Sequence, residues 1–435
     1  MGERKRIGLR DVRALAESED VWDLAVPGFG ARRQRSSAVA YVLLYRTADG
    51  RSRRFTIGRH GAPWTPDTAR DEARRLLGEV AQGKDPSAVK QAKRSAATVA
   101  ELCDLYLVDA EAGRLLTRRG STKKASTIST DRSRINAHIK PLLGVMKVPA
   151  VTREDVEAFM HQVAEGITRA PKASSNKGGV SIVRGGKGAS TRTVGLLGAL
   201  FTYAVRKRMR FDNPVHGVVR HADGRRERRL TDAEYASLGT GLAKAAQPRP
   251  RVTPMKRGAP ERVGMWPAAL AAVRFLALTG WRRGEVLTLQ WKHVDMDRGT
   301  ARLPDTKTGL SIRPLAQAAC DVLRGLMGGK PDALVFPPNR GTHIMAGFPT
   351  MFARVARAGG LPADVTPHVL RHSFASLAGD LGFSETTIAA LVGHKGSSIT
   401  SRYVHTADTV LIAAADRVAG RTLNLMNGDL HPLEL

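Results

Sequence analysis

Residues 38–57 read AVAYVLLYR, TADG, RSRRFTI: two runs rich in strand-forming residues on either side of an Asp-Gly turn. Asp-Gly between such runs is a strong short-range hairpin signal, so this segment is expected to pair antiparallel. The preceding GFGARRQR (28–35) supplies a candidate third strand. In 51–57, Arg51, Arg53 and Phe55 fall on one face and Ser52, Arg54 and Thr56 on the other. Thr65 and Pro66 then give an N-cap and a first-turn proline. The helix DTARDEARRLLGEVAQG follows and stops near Gly83. Residues 1–90 therefore read as a small α+β domain, a three-stranded sheet plus a helix.

The next segment, 97–216, carries helical signals. Thr98 with Glu101 makes a capping box ahead of VAELCDLYLVDA, and Thr152 with Asp155 opens TREDVEAFMHQVAEG. In TRTVGLLGALFTYAVRKR, Val194, Leu197, Phe201 and Ala204 recur at helical spacing and mark a core stripe. An all-α domain is expected here, interrupted by a basic loop at 116–127 and a Gly-, Ser- and Lys-rich loop at 167–190. Residues 217–230 contain RRERR and read as a basic linker. Thr231 and Glu234 form another capping box, so a further domain begins there. It is expected to be mainly α with a small antiparallel sheet at 301–315. QPRPRVTPMKRGAPERVG (247–264) reads as a surface insertion. The chain is thus read as multidomain.

Charge narrows the partners. The chain has 69 Lys and Arg against 40 Asp and Glu, a net +29. That excess bears on partners rather than fold, and points to nucleic acid or an anionic membrane surface. No amphipathic basic helix or transmembrane run stands out, and the most apolar stretch, WPAALAAVRFLALTG, is short and carries Arg274. MGERKRIGLR has the charge of a signal peptide without an apolar segment behind it. Cys103 and Cys320 lie far apart, offer no zinc spacing and fit a reducing cytoplasm. Nucleic acid is the leading class. The amino-terminal sheet is then either a solvated basic face or one laid into a DNA groove.

Four local patterns follow residue 275. In TGWRRGEVLTLQW (279–291), a helix beginning near Gly280 puts Arg282 and Glu285 at i and i+3. ARLPDTKTGLSIRPL (301–315) reads as two short strands with Lys307 near the turn. In TPHVLRHSFAS (366–376), Thr366 is an N-cap and Pro367 the first helical residue. His368 and Arg371 sit in the opening turn, where helix N-termini favour anions, while His372 and Ser373 are placed on other faces. SETTIAALV is a helix capped by Ser384 and stopped by Gly393, with His394 next. Ser397 or Ser398 caps a following helix that carries Tyr403. Singly, these patterns have ordinary explanations: an ion pair, a turn lysine, a tyrosine ring in the core. Together they make a kit for phosphoryl transfer, which depends on positioning and charge stabilisation. A tyrosine can serve as nucleophile, a histidine can assist it, and a lysine can protonate a leaving oxygen.

The chain resembles a tyrosine recombinase of the phage- or island-type integrase kind. The residues that carry the resemblance are Thr279-Gly280-Trp281-Arg282 with Glu285, Lys307 in TKTG, His368 with Arg371, Gly393-His394, and Tyr403 nine residues after His394. GFG, YVLLYR, FTIG and GKDP (83–86) resemble an arm-binding domain. The resemblance implies an arm-type DNA-binding domain over 1–90, a core-binding domain over 97–216, a linker over 217–230 and a catalytic domain over 231–407. It implies a tail over 408–435 that docks on a neighbouring protomer. The longer loops at 167–190 and 247–264 depart from a minimal recombinase.

The implied activity is integration and excision of a mobile element, through a 3′-phosphotyrosyl intermediate and with no cofactor or metal. By resemblance Tyr403 is the nucleophile, Arg282 and Arg371 clamp the phosphate, and Lys307 is the general acid. His368 is the base, His394 a phosphate donor, and Glu285 orients Arg282. Candidate DNA contacts are Arg51, Arg53, Arg54, Lys123, Lys124, Arg192, Arg225 and Arg226. The implied partners are duplex DNA at core and arm sites and a homotetramer on it, with an excisionase and a host DNA-bending protein as accessory factors. A bacterial cytoplasm and nucleoid are the expected setting. A resolvase or type IB topoisomerase shares the chemistry, and a catalytically silent DNA-binding regulator is the alternative of another class.

Overall fold

The computed structural model describes residues 4–35, 38–118, 120–173, 180–183, 185–222, 228–250, 262–306, 309–394 and 408–429. The chain divides into two compact units, Met1–Gly224 and Arg225–Leu435.

The first unit opens with β1 (Arg4–Lys5), α1 (Leu9–Ala14), β2 (Asp20–Asp23), β3 (Phe29–Arg33), β4 (Val39–Arg46) and β5 (Ser52–Arg59). α2 (Pro66–Ala81) and α3 (Pro86–Ser95) follow. The expected hairpin is present, with Arg46 opposite Ser52 and Leu43 opposite Phe55. The sheet has five strands in the order β1-β2-β3-β4-β5, not three. The two added strands are short, and two to four residues are too few to display a period of two. Phe29, Ala31, Tyr41, Leu43 and Tyr45 are buried together with Ala69, Ala73 and Leu76 of α2. Alternation sends Arg32, Arg46 and Arg54 to the opposite face. Thr65 caps α2 by accepting from the Thr68 N–H at 3.2 Å. α3 went unread, although Asp85 followed by Pro86 is a start signal: the Asp85 carboxylate accepts from Ser87 N and Ala88 N.

A second core in this unit is built by α4 (Val99–Glu111), α5 (Ala125–Arg134), a π-helical turn (Ile135–Ile139), α6 (Lys140–Leu143), α7 (Arg153–Glu165) and α8 (Lys187–Arg206). Both capping boxes form, Thr98 with Glu101 and Thr152 with Asp155. Val194, Leu197, Phe201 and Ala204 are fully buried, as helical spacing required. This segment is not all-α. β6 (Ala170–Ala173) pairs antiparallel with β7 (Val180–Val183) inside the expected loop. The Gly- and Ser-rich composition around these four-residue strands hides them.

The second unit contains α9 (Asp232–Ala246), β8 (Arg249–Pro250), β9 (Arg262–Val263), α10 (Pro267–Thr279), α11 (Arg283–Leu287), β10 (Val294–Asp295), β11 (Thr300–Thr306), β12 (Gly309–Pro314) and α12 (Gln317–Arg324). α13 (Phe348–Gly359), α14 (Pro367–Asp380), α15 (Glu385–Val392) and α16 (Asp408–Asn427) complete it. β8 and β9 pair across the expected insertion, and β10-β11-β12 make the small antiparallel sheet. α10 is the buried hub, with Ala269, Ala272, Val273, Phe275 and Leu276 fully covered. α16 lies in the segment expected to be a tail docked on another protomer. Its Ala414, Ala415, Val418, Ala419, Leu425 and Met426 are buried in the core of this same unit. An apolar helical face has the same pattern whether it packs within a chain or between chains. Among the described residues, no helix is long and apolar enough to cross a membrane.

In the amino-terminal sheet, Asp23 and Arg70 form a buried pair at 2.9 Å. Arg70 also donates to Ile7 O at 2.6 Å, and Asp23 accepts from the N–H groups of Ile7, Ala25 and Val26. Burial pushes the Asp23 carboxyl up, but the bonds from Arg70, Ile7 and Val26 and the Arg70 charge outweigh it and hold it below the ordinary value. Arg70→Met leaves that carboxylate buried and unpaired, at an expected cost of about 3–5 kcal/mol. Hydrogen exchange should show α2 and β2–β4 opening together. Because the folded value is lowered, the pair's contribution is complete above the ordinary aspartate range. It is lost as pH falls through the folded value, and Asp23→Asn should abolish that pH dependence.

Candidate active site

The site grows from the end of α10. Gly280 stops that helix in the left-handed conformation (φ 60°) rather than starting one. A Cβ at this position would lie 2.7 Å from the Phe374 ring, so glycine also permits the close approach of α14. Trp281 is buried edge-on against Phe275, with ring centroids 5.3 Å apart. Arg282 occupies the N-cap of α11, and Glu285 is its third residue. The Glu285 carboxylate accepts from Arg282 N at 3.0 Å and from Arg282 Nη1 at 2.8 Å. The i, i+3 relation holds, but as a helix cap rather than a mid-helix pair.

α14 begins after Thr366, whose hydroxyl makes no capping bond. Arg371 is buried. Its Nη1 donates to Gly280 O at 3.0 Å and to Val392 O at 2.7 Å. Its Nη2 is buried and has no partner among the described residues. Burial, then the like charge of Arg282, pulls the Arg371 guanidinium down to about 10. His368 is exposed one turn earlier on the same helix. His372 was expected on another face, but the two rings meet edge to face at 4.6 Å, because i and i+4 share a face.

α15 is capped by Ser384, which accepts from Thr387 N, and it ends at Gly393 (φ 69°). That turn brings Gly393 O within 3.5 Å of Arg282 Nη1 and presents His394. Loss of hydration, followed by the charges of Arg371, Arg282 and Arg313, lowers the His394 pKa. The fold therefore gathers Arg282, Glu285, Arg371 and His394 around one turn. Lys307 and Tyr403 lie outside the described residues.

Arg313 was missed. It is fully buried on β12, opposite Ala301 of β11. It donates to Ser311 Oγ at 2.8 Å, Val392 O at 2.8 Å and Glu285 Oε1 at 3.3 Å. The register places it across from a small core residue and therefore inward, but an irregularity between Leu303 and Thr306 keeps that register from being counted off the sequence. Arg282 and Arg313 thus hold the Glu285 carboxylate while Arg371 is tied to carbonyls of the same turn, leaving net positive charge suited to an anion.

The candidate DNA contacts separate. Arg51 pairs with Asp49 at 2.9 Å in the turn, and Arg53 with Asp85 at 3.5 Å on the face that meets the helices. Arg54 stands on the open face, 3.9 Å from Asp20. Lys123 is half-buried and turned inward: its ammonium is paired with the buried Asp131 at 2.7 Å and bonded to Tyr106 OH. A buried carboxylate claims the nearest cation, which sequence in a basic loop does not show. Lys124 and Arg192 are exposed, while Arg225 and Arg226 lie outside the described residues. Arg228 and Arg229 of the same basic run bind Glu234, Asp364 and Asp380.

Residues 261–409 match the phage integrase family, and residues 9–93 match the arm DNA-binding domain family. The chain therefore carries a phage integrase domain with an arm DNA-binding domain ahead of it. It is 33% identical over 150 residues to the shufflon-specific DNA recombinase of Escherichia coli, covering 34% of this chain and 37% of that protein. It is 29% identical over 163 residues to tyrosine recombinase XerC of Roseiflexus castenholzii, covering 35% and 50%. The chain spans half or less of the length of these curated relatives. A lambda integrase dimer bound to a COC′ core site aligns with TM-score 0.52 and 19% identity over 87% of this chain and 94% of that one. A lambda integrase tetramer bound to a Holliday junction aligns with TM-score 0.52 and 19% identity over 86% and 97%. At that identity the likeness is one of fold.

His394 is expected to titrate below the ordinary histidine value of about 6.5 in NMR spectra of histidine-labelled protein. Arg282→Met, which removes one neighbouring charge, should move it up. A wild-type value at or above the ordinary one would place the ring away from the guanidiniums.

Proposed function

We propose that the chain is a site-specific DNA recombinase that integrates and excises a mobile element by cleaving and rejoining strands. The observation that carries this reading is the buried Nη2 of Arg371 beside Arg282, which has no acceptor among the described residues. A buried cationic donor without an acceptor is costly, and a phosphate oxygen would satisfy it. In the proposed step, the Tyr403 phenol oxygen attacks the scissile phosphorus and its proton passes to His368. The bond from phosphorus to the 5′ oxygen breaks, and that oxygen takes a proton from Lys307. The product is a 3′-phosphotyrosyl ester and a free 5′-hydroxyl. Attack by a 5′-hydroxyl of the other duplex reverses the step and joins the strands. Arg282 and Arg371 balance charge on the non-bridging oxygens, Glu285 orients Arg282, and neutral His394 donates a hydrogen bond.

In this reading the three hydrophobic cores serve three tasks. The first, within 1–90, holds arm DNA on the open sheet face that carries Arg32, Arg46 and Arg54. The second, within 97–216, grips the core site, with Lys124 and Arg192 as exposed candidates. Residues 217–230 link them to the catalytic domain, which starts at 231 and takes α16 into its core. Four protomers on two duplexes would exchange strands in the cytoplasm, an excisionase and a DNA-bending protein setting direction. Binding should weaken steeply with salt, since phosphate contacts dominate it.

A duplex library with a randomised core and one nick, so that the cleaved fragment diffuses away, tests the proposal. Wild type should form a denaturant-resistant protein–DNA adduct. Tyr403→Phe should form none while retaining DNA binding. An adduct in the Phe variant would overturn the nucleophile assignment, and relaxation of supercoils without joining of two sites would indicate a topoisomerase.

A further inference from the structure

The geometry points to Arg313 as a positioning residue for this site, a buried cation that never meets DNA and sets the two guanidiniums that do. The inference rests on reading the site as one that binds a phosphate. Arg313 is fully buried, and each of its three nitrogens has an acceptor: Ser311 Oγ, Val392 O and Glu285 Oε1. The Trp281 ring lies 5.6 Å from its centre. Three of its five N–H groups are engaged within the protein, and full burial keeps the others from a ligand.

Two of those acceptors are shared with the candidate phosphate clamp. Glu285 Oε1 also accepts from Arg282 Nη1 at 2.8 Å, and Val392 O also accepts from Arg371 Nη1 at 2.7 Å. One side chain on β12 thus touches a partner of each arginine. Without it, Glu285 keeps a single cation and draws Arg282 fully onto itself. Val392 O would then have only Arg371, and the turn that carries His394 would lose its tie to the sheet.

Gly393 supplies an independent constraint. A Cβ there would fall 1.9 Å from the Arg313 Cζ. The turn can close at 393 only because glycine leaves room for this guanidinium, which therefore sets the path of the chain into His394. A lysine cannot replace it, since one ammonium does not span three acceptors in a fixed plane.

The test uses the full chain with Arg313→Lys, Arg313→Met and Arg282→Ala. Orthovanadate, a mimic of the pentacoordinate phosphate, is titrated first by thermal shift. Both Arg313 variants should need at least about tenfold more vanadate than wild type. The second arm compares cleavage of a nicked duplex with that of its analogue bearing a neutral methyl in place of one non-bridging oxygen. Neutralising the phosphate removes part of the demand on the clamp. Arg313→Lys, like Arg282→Ala, should therefore lose about 10²–10³-fold in the single-turnover rate of cleavage on the phosphate, with DNA affinity little changed, and much less on the methylphosphonate. A folding defect would lower both substrates equally, and that result, or wild-type vanadate binding by Arg313→Lys, would overturn the positioning role. Failure of wild type to cleave any duplex would overturn the recombinase reading alone. The vanadate titration would still decide Arg313.

Discussion

One carboxylate organises the carboxy-terminal unit. Glu285 is buried between Arg282 and Arg313, and it also receives the N–H of Arg282. Burying several guanidiniums close together is unfavourable unless a negative group and fixed acceptors hold them. Glu285 supplies the negative group. The carbonyls of Gly280 and Val392, each freed by a helix ending in a left-handed glycine, supply acceptors. Three elements distant in sequence are pinned at one point this way. The charge balance there remains positive, which is what a site for a phosphate requires.

The amino-terminal sheet solves a similar problem by other means. Asp23 is buried on a short strand and is satisfied by Arg70 from α2 and by three backbone N–H groups. The pair ties β2 to the helix that covers the sheet. The opposite face is left to Arg32, Arg46 and Arg54. In the helical core, Asp131 likewise draws Lys123 inward.

Local signals were legible wherever one residue decides a local geometry. Asp-Gly fixed the hairpin, and Thr-x-x-Glu or Thr-x-x-Asp opened four-turn helices at Val99 and Arg153. Gly393 was readable as a helix stop because few residues adopt its backbone conformation. Two-residue strands, the hairpin inside 167–190 and the reversed role of Gly280 were not legible. Their identity depends on partners far along the chain, and a short run carries too little pattern to announce them. Among the site residues, Arg282, Glu285, Arg371 and His394 stood out through spacing, whereas Arg313 did not, because its importance lies wholly in what it touches.

By itself, the sequence determined the capped helices and the Asp-Gly hairpin, the family-like series of Arg282, Lys307, His368, Arg371, His394 and Tyr403, and the cationic balance. Those are properties of residue type and short-range spacing, and the physics that reads them is local. Tertiary structure alone decided which charges are spent and which are available. Lys123 and Arg313 are consumed by buried acceptors, while Arg371 keeps a donor that no described residue satisfies. The reason is that a charge in a protein is governed by burial and by the acceptors within a few ångströms, and both are set by packing between segments that sequence keeps apart.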